Sequence, residues 1–248
     1  MRVVALVSGG EDSCFNMIEA TKHGHEIVAL GNLYPQNIEV EELDSYMYQT
    51  VGRGAIQFYS EALGIPLYRE PITGSPVCLD SEYKVNEKDE VEDLFRLLNR
   101  IKKDLPFDAV ASGAIFSNYQ RVRIENICAR MGLESLAYLW ERNQSELLQE
   151  MISSQIEATV IKVATLGLDQ SHLGKTIAEL QPHLTKMAEK YGINVCGEGG
   201  EYETFTLDCP MFKKKLVLVE SEVVANGSDV HHLLLKSLKL VDKKDGQE

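Results

Sequence analysis

The sequence predicts an α/β protein, with a doubly wound parallel sheet followed by a smaller C-terminal α+β domain. Three observations predict it. The chain opens on Arg2 to Val7, a nearly unbroken aliphatic run that ends in a glycine turn and leads into helical spacing. Aliphatic runs then alternate with helical periods as far as Gly132. Beyond that point the rhythm changes, and strand candidates outnumber helices.

The elements follow in order. After the turn, Cys14, Met17, Ile18 and Thr21 recur at helical spacing, with Gly24 placed for a left-handed cap. Ile27 to Leu33 reads as a second strand, and Leu43 to Leu63 as a long helix with a break at Gly52-Arg53-Gly54 and a stop at Gly64 and Pro66. Leu67 to Arg69 makes a short third strand, and residues 71 to 89, with Pro71, Gly74 and Pro76 and no period, a long surface loop. Val91, Leu94, Phe95, Leu98 and Ile101 mark an amphipathic helix, Asp108 to Ala114 a strand, and Tyr119 to Arg130 a helix capped by Gly132. These segments form a first domain, residues 1–132. A second domain, 133–241, is expected to carry strands at Ala158 to Ala164, Val195 and Leu216 to Val219 and a helix from Lys175 to Lys190, before a charged tail over 242–248.

Composition excludes several classes. With 44% hydrophobic and 25% charged residues the chain is neither disordered nor fibrous. Its apolar runs are far shorter than the roughly 20 residues that span a bilayer, and no secretory signal opens it, so a cytoplasmic, membrane-free protein is expected. Five cysteines, with no C-x-x-C pair, read as reduced thiols. A formal charge of −13 repels a phosphate backbone and argues against nucleic acid as a main partner.

The chemistry concentrates in the first turn. Ser8-Gly9-Gly10-Glu11-Asp12-Ser13 joins a buried strand to a helix, where backbone N–H groups converge on an anion at the positive helix end. The pattern is neither a Walker A loop nor a dinucleotide fingerprint. Gly174-Lys175-Thr176 has a Walker tail without the earlier glycine, and reads as a helix start. His23 with His25, and His231 with His232, have no ligand partners at metal spacing and read as surface histidines.

Ser8, Gly9, Gly10, Asp12 and Ser13 match the S-G-G-x-D-S pattern of the PP-loop ATP pyrophosphatases. The blocks Glu42 to Gly52, Ser112 to Ile115, Tyr119 to Asn126, Tyr138 to Trp140 and Gly197 to Thr204 extend the likeness, and from Met1 to about Lys215 the chain resembles the diphthine–ammonia ligase family. The resemblance implies that ATP adenylates the carboxylate of diphthine, a modified histidine on translation elongation factor 2, and that ammonium then displaces AMP, with pyrophosphate as the other product. It further implies ATP contacts from Ser8, Gly9, Gly10, Asp12 and Ser13, with Asn32, Gly113 and Ala114 near the nucleoside, and Mg2+ on Asp12.

Glu198, Glu201 and Glu203, on a segment hinged by Gly199 and Gly200 and closed by Thr204, suit a cation such as magnesium, ammonium or trimethylammonium, and Asp12, Glu198 and Glu201 are the expected catalytic acids. A solvated acidic turn is the plain alternative. Arg121 and Arg123 suit an oxyanion clamp, although Arg121 with Glu125 is also an ordinary i,i+4 pair. Tyr48, Tyr119, Gln120 and Glu125 are assigned to the substrate side, with Trp140 as a further aromatic for the cleft. One departure stands out: Glu11 occupies the position where the family usually has Lys, so it points to solvent, helps hold magnesium or impairs turnover. The rival readings are a nucleotide-binding regulator with impaired catalysis and a PP-loop tRNA-modifying enzyme.

Overall fold

In the computed structural model, residues 1–37, 45, 47–49, 51–227 and 229–243 are described. The first sheet is parallel, with strands β1 (Arg2–Leu6), β2 (Glu26–Pro35), β3 (Leu67–Ile72), β4 (Ala109–Ala111) and β5 (Glu134–Leu136) in the order β3-β2-β1-β4-β5. Helices α1 (Glu11–Lys22), α2 (Tyr59–Leu63), α3 (Val91–Asp104) and α4 (Asn118–Met131) connect them. The order reverses beside β1, so the loops after β1 and β4 part there and leave a crevice at the carboxyl edge.

Strand β1 shows why the sheet is buried on both faces. Val3 and Ala5 enter one apolar cluster and Val4 the opposite one, as period-two side chains require. Leu94, Leu97, Leu98 and Ile101 of α3 seal the Val4 side and are fully buried. Each such side chain contributes about 1.5–3 kcal/mol.

The second sheet is antiparallel, with β6 (Glu157–Val163), β7 (Tyr202–Asp208), β8 (Lys214–Ala225) and β9 (His231–Asp242) in the order β7-β6-β9-β8, and helices α5 (Gln144–Ser153) and α6 (Ile177–Tyr191) accompany it. Val3 and Ala5 share a cluster with Ile161 and Phe205, so the two sheets have one continuous core.

Several expectations change. Of the long helix proposed for 43–63, residues 43, 44, 46 and 50 lie outside the described set; the remainder is turns, a 3₁₀ turn at Ile56–Phe58 and the short α2. Gly52, at φ +78° with Phe205 and Ile161 against it, breaks the period. The expected strand at Leu67 to Arg69 runs on to Ile72, and inside the loop that follows, Ser75 bridges Asp89. Val195 sits in a turn, Leu216 to Val219 is only the middle of β8, and β5 extends the first sheet past residue 132. α6 starts as expected, with Thr176 and Glu179 forming a capping box.

His232 is buried rather than on the surface, because β9 lies between β6 and β8. Of the tail, Asp242 still belongs to β9 and Lys243 pairs with Asp208 at 2.5 Å; 244–248 lie outside the described residues.

Candidate functional site

A cavity of about 510 Å³ opens at the crevice between β1 and β4. One wall is the turn after β1. Gly9 takes φ +107°, and a Cβ on it would meet Ile56 and Phe205 at 2.9 Å. Gly10 begins α1 without a side-chain cap of its own, so of the first-turn amides Thr204 takes that of Glu11 and those of Asp12 and Ser13 are left for an anion at the positive helix end. A Cβ on Gly113, after β4, would come within 2.8 Å of the Asp12 carbonyl carbon and the Ser13 nitrogen, so only glycine lets the two turns close on each other.

The opposite wall runs from Gly197 into β7, which reaches back onto the glycine turn. Thr206 N donates to Gly9 O at 2.8 Å, and Gln49 Nε2 donates to Thr204 O at 3.0 Å. Tyr59 Oη lies 2.9 Å from both Gly9 O and Thr206 O. Thr204 Oγ1 accepts the Glu11 N–H at 3.2 Å and donates to the Glu11 carboxylate. Glu11 is therefore buried and engaged, not turned to solvent.

Three carboxylates gather here with raised pKa. Burial is the main cause for each, with the charge of Glu198 adding to Glu11 and the charges of Glu11 and Glu198 adding to Asp12, which is held well above the usual range. Asp12 Oδ1 is buried without a hydrogen-bond partner among the described residues, the state of an oxygen suited to a cation. No group of three His, Cys, Asp or Glu that could cage a metal occurs among the described residues.

Of the residues singled out from sequence, Ser8, Gly10, Asp12, Ser13, Asn32, Gly113 and Ala114 line the cavity. So do Tyr48, Gln120, Glu198, Gly199, Gly200, Glu203 and Thr204. Asn32 is tied at both ends, donating to Val7 O at 2.9 Å and accepting from Arg69 Nε at 2.9 Å. Glu203 pairs with Lys162 at 3.0 Å. Glu198 Oε2 accepts the Phe116 N–H at 2.8 Å.

Glu201 stands behind the wall, its two oxygens accepting Asn194 N and Gly199 N, each at 2.8 Å. Arg121 bonds to Glu125 at 3.1 Å and lies over the Trp140 ring, the ordinary surface pairing. Arg123 is fully buried, stacked on Tyr119, and donates to the carbonyls of Tyr119, Cys78 and Asp80. Its guanidinium is occupied by main chain, so neither arginine nor the Tyr119 ring faces the cavity. The sequence reading missed Gln49, Ser112 and Ser117 as lining residues. Gln49 and Ser112 lie inside blocks already recognised, and Ser117 was legible as the N-cap of α4, accepting Gln120 N at 3.3 Å.

A family model described as the diphthamide synthase N-terminal domain matches residues 1–135, and one described as the diphthamide synthase C-terminal domain matches 143–239. The diphthine–ammonia ligase of Rattus norvegicus is 56% identical over 98% of this chain and 94% of its own, and that of Homo sapiens 54% over the same shares. The Saccharomyces cerevisiae protein of that name is 42% identical over 95% of this chain and 37% of its own. A solved structure of a predicted tRNA methyltransferase subunit from Methanocaldococcus jannaschii covers 85% of this chain and 98% of its own at 14% identity and a TM-score of 0.36, too distant to bear on the site. The chain belongs to the diphthamide synthase family, whose curated members similar to it are named diphthine–ammonia ligase.

Proposed function

We propose that this chain is an ATP-dependent ligase that amidates the carboxylate of diphthine, on translation elongation factor 2, with ammonium. A carboxylate resists attack by ammonia until one oxygen becomes a good leaving group. In this reading the carboxylate oxygen attacks the α-phosphorus of ATP, pyrophosphate leaves, and an acyl-adenylate forms. Ammonium gives up a proton, its nitrogen bonds to the acyl carbon, the bond to AMP breaks with its electron pair, and loss of a second proton leaves the amide. In this reading the reaction is cytoplasmic. No helix among the described residues is long and apolar enough to cross a membrane.

The observation that carries the reading is the closure of the Ser8–Ser13 turn against the Gly197–Thr204 segment around one cavity at the sheet's switch point. The turn would grip the outer phosphates through Ser8, Gly9, Gly10 and Ser13, with Asn32, Gly113 and Ala114 toward the nucleoside. Holding both reactants in one pocket removes much of the entropic barrier. Asp12, with its unpaired oxygen, would hold Mg2+ together with phosphate oxygens and water; the ion would offset charge on the leaving pyrophosphate. The expected division assigns ATP to residues 1–132 and the diphthine side chain to 133–241, where Glu198, Gly199, Gly200 and Glu203 face it, with Tyr48 and Gln120 opposite. Glu201 would act by bracing this turn.

The test is ammonium-dependent release of AMP and pyrophosphate with diphthine-bearing elongation factor 2. Nucleotide binding without turnover would sink the ligase reading and favour the regulator; a Glu11→Lys comparison then shows whether Glu11 is the cause.

A further inference from the structure

We propose that a second cavity, behind the Gly197–Gly200 turn, is the port through which ammonium reaches the site, separate from the mouth that takes ATP and the protein side chain. The inference rests on the ligase reading and deepens it. The cavity measures about 480 Å³, and its lining includes Phe116, Gln144, Ile193, Asn194 and Glu201. Ser117, Glu198 and Gly199 line both this cavity and the main one, so the partition between them is a single turn of chain. That turn is built mostly of glycine, with Gly197 at φ +74° and Gly200 at +82°, and puts little side-chain bulk between the two spaces.

The lining selects by charge. Among the described residues no Lys, Arg or His lines the second cavity, and its charged groups are the carboxylates of Glu198 and Glu201. Both are held in place by amide donors, Glu201 by Asn194 and Gly199 and Glu198 by Phe116. Each Glu201 oxygen carries one such bond and keeps a lone pair for a further donor. Asn194 and Gln144 add amide groups, and the Phe116 ring, 45% exposed, stands at the rim, where an aromatic face favours a cation. Such a pocket concentrates a small cation and repels nucleotide phosphates.

The reaction gives a reason for two entrances. In that reading ATP and a side chain projecting from a folded protein would share the cavity of about 510 Å³, and the docked protein would cover its mouth. A third reactant needed only after adenylation must be trapped beforehand or arrive by another path. The second cavity supplies that path and ends at Glu198, which faces both spaces.

The test uses the full chain with diphthine-bearing elongation factor 2 and ammonium chloride. Gln144 opens α5, and its main-chain oxygen, not its side chain, accepts the Cys196 thiol, so the side chain can be changed at the mouth. Gln144→Lys is expected to raise the KM for ammonium about fivefold and Gln144→Glu to lower it. Both shifts should shrink near 0.5 M sodium chloride, where screening acts over roughly 4 Å. ATP–pyrophosphate exchange without ammonium reports adenylation alone, and the KM shift should exceed any change in it. An unmoved ammonium KM in both variants with exchange intact would overturn the port. A shift in the KM for the elongation factor instead would assign the cavity to the protein side chain and equally overturn it. Absence of exchange in the wild type would sink the ligase reading itself, and the port with it.

Discussion

Thr204 holds Glu11 at both ends: its hydroxyl donates to the Glu11 carboxylate and accepts the Glu11 N–H at 3.2 Å. Glu11 is thereby turned onto β7, joining the first turn of α1 to the second sheet.

Thr204→Val should leave a buried carboxylate and a helix amide without their donor and acceptor, costing about 1–3 kcal/mol. In a Glu11→Gln background the same change should cost less, because the neutral amide is cheaper to strand. Urea unfolding of the four proteins measures the coupling; equal costs in both backgrounds would show that Thr204 does not act through the Glu11 carboxylate.

The first half of this fold was legible because its signals are local. Aliphatic runs ending in glycine place β1, β2 and β4, and the Ser8–Ser13 turn follows from β1 alone. What was not legible depends on distant chain. β7 was read as an acidic motif, because Glu203 and Thr204 hide an alternation completed only by pairing with β6. β9 is central only because β6 and β8 flank it, which is why His232 read as exposed. α5 did carry a signal, with Leu147, Leu148 and Met151 on one face after the Asn143 cap, and was overlooked. Arg123 shows the limit for sites: its residue type suits an oxyanion, but the carbonyls of Cys78 and Asp80 arrive from a loop without any period.

Gly113→Ala should damage the site more than its size suggests. The new Cβ would meet main-chain atoms of Asp12 and Ser13 at 2.8 Å, and backbone cannot rotate away as a side chain can. The expected cost is about 1–3 kcal/mol of stability, with the KM for ATP raised about tenfold or more as the two turns are pushed apart. Gly10→Ala is the comparison, since its Cβ meets only side-chain atoms, Gln49 Oε1 at 3.2 Å being the nearest. Thermal melting should separate the pair, and a Gly113→Ala protein as stable as Gly10→Ala would contradict the close approach.

The two arginines of α4 should behave oppositely. Arg123→Ala removes a buried cation that satisfies three carbonyls, and is expected to cost about 3 kcal/mol or more. Arg121→Ala removes a partly exposed pair with Glu125 and should cost under about 0.5 kcal/mol. Chemical denaturation decides; a larger loss from Arg121→Ala would reverse the assignment.

Glu90 makes stability depend on pH near neutrality. It is buried, and burial first, then the Asp89 charge, pushes its carboxyl up to about 7 despite donors from Ser45 and Met47. Between the ordinary value of 4.5 and about 7 the folded chain holds a proton at Glu90 that the unfolded chain has released, so the stabilising contribution is complete below 4.5 and is lost as pH rises through 7. Glu90→Gln cannot ionise and escapes that loss. Relative to it, the wild type should weaken by about 2–3 kcal/mol from pH 5 to pH 8. Taking the difference between the two proteins cancels the titrations of Glu11, Asp12 and Glu198, which the variant retains. Parallel urea curves for the two proteins at both pH values would show that Glu90 carries no such proton.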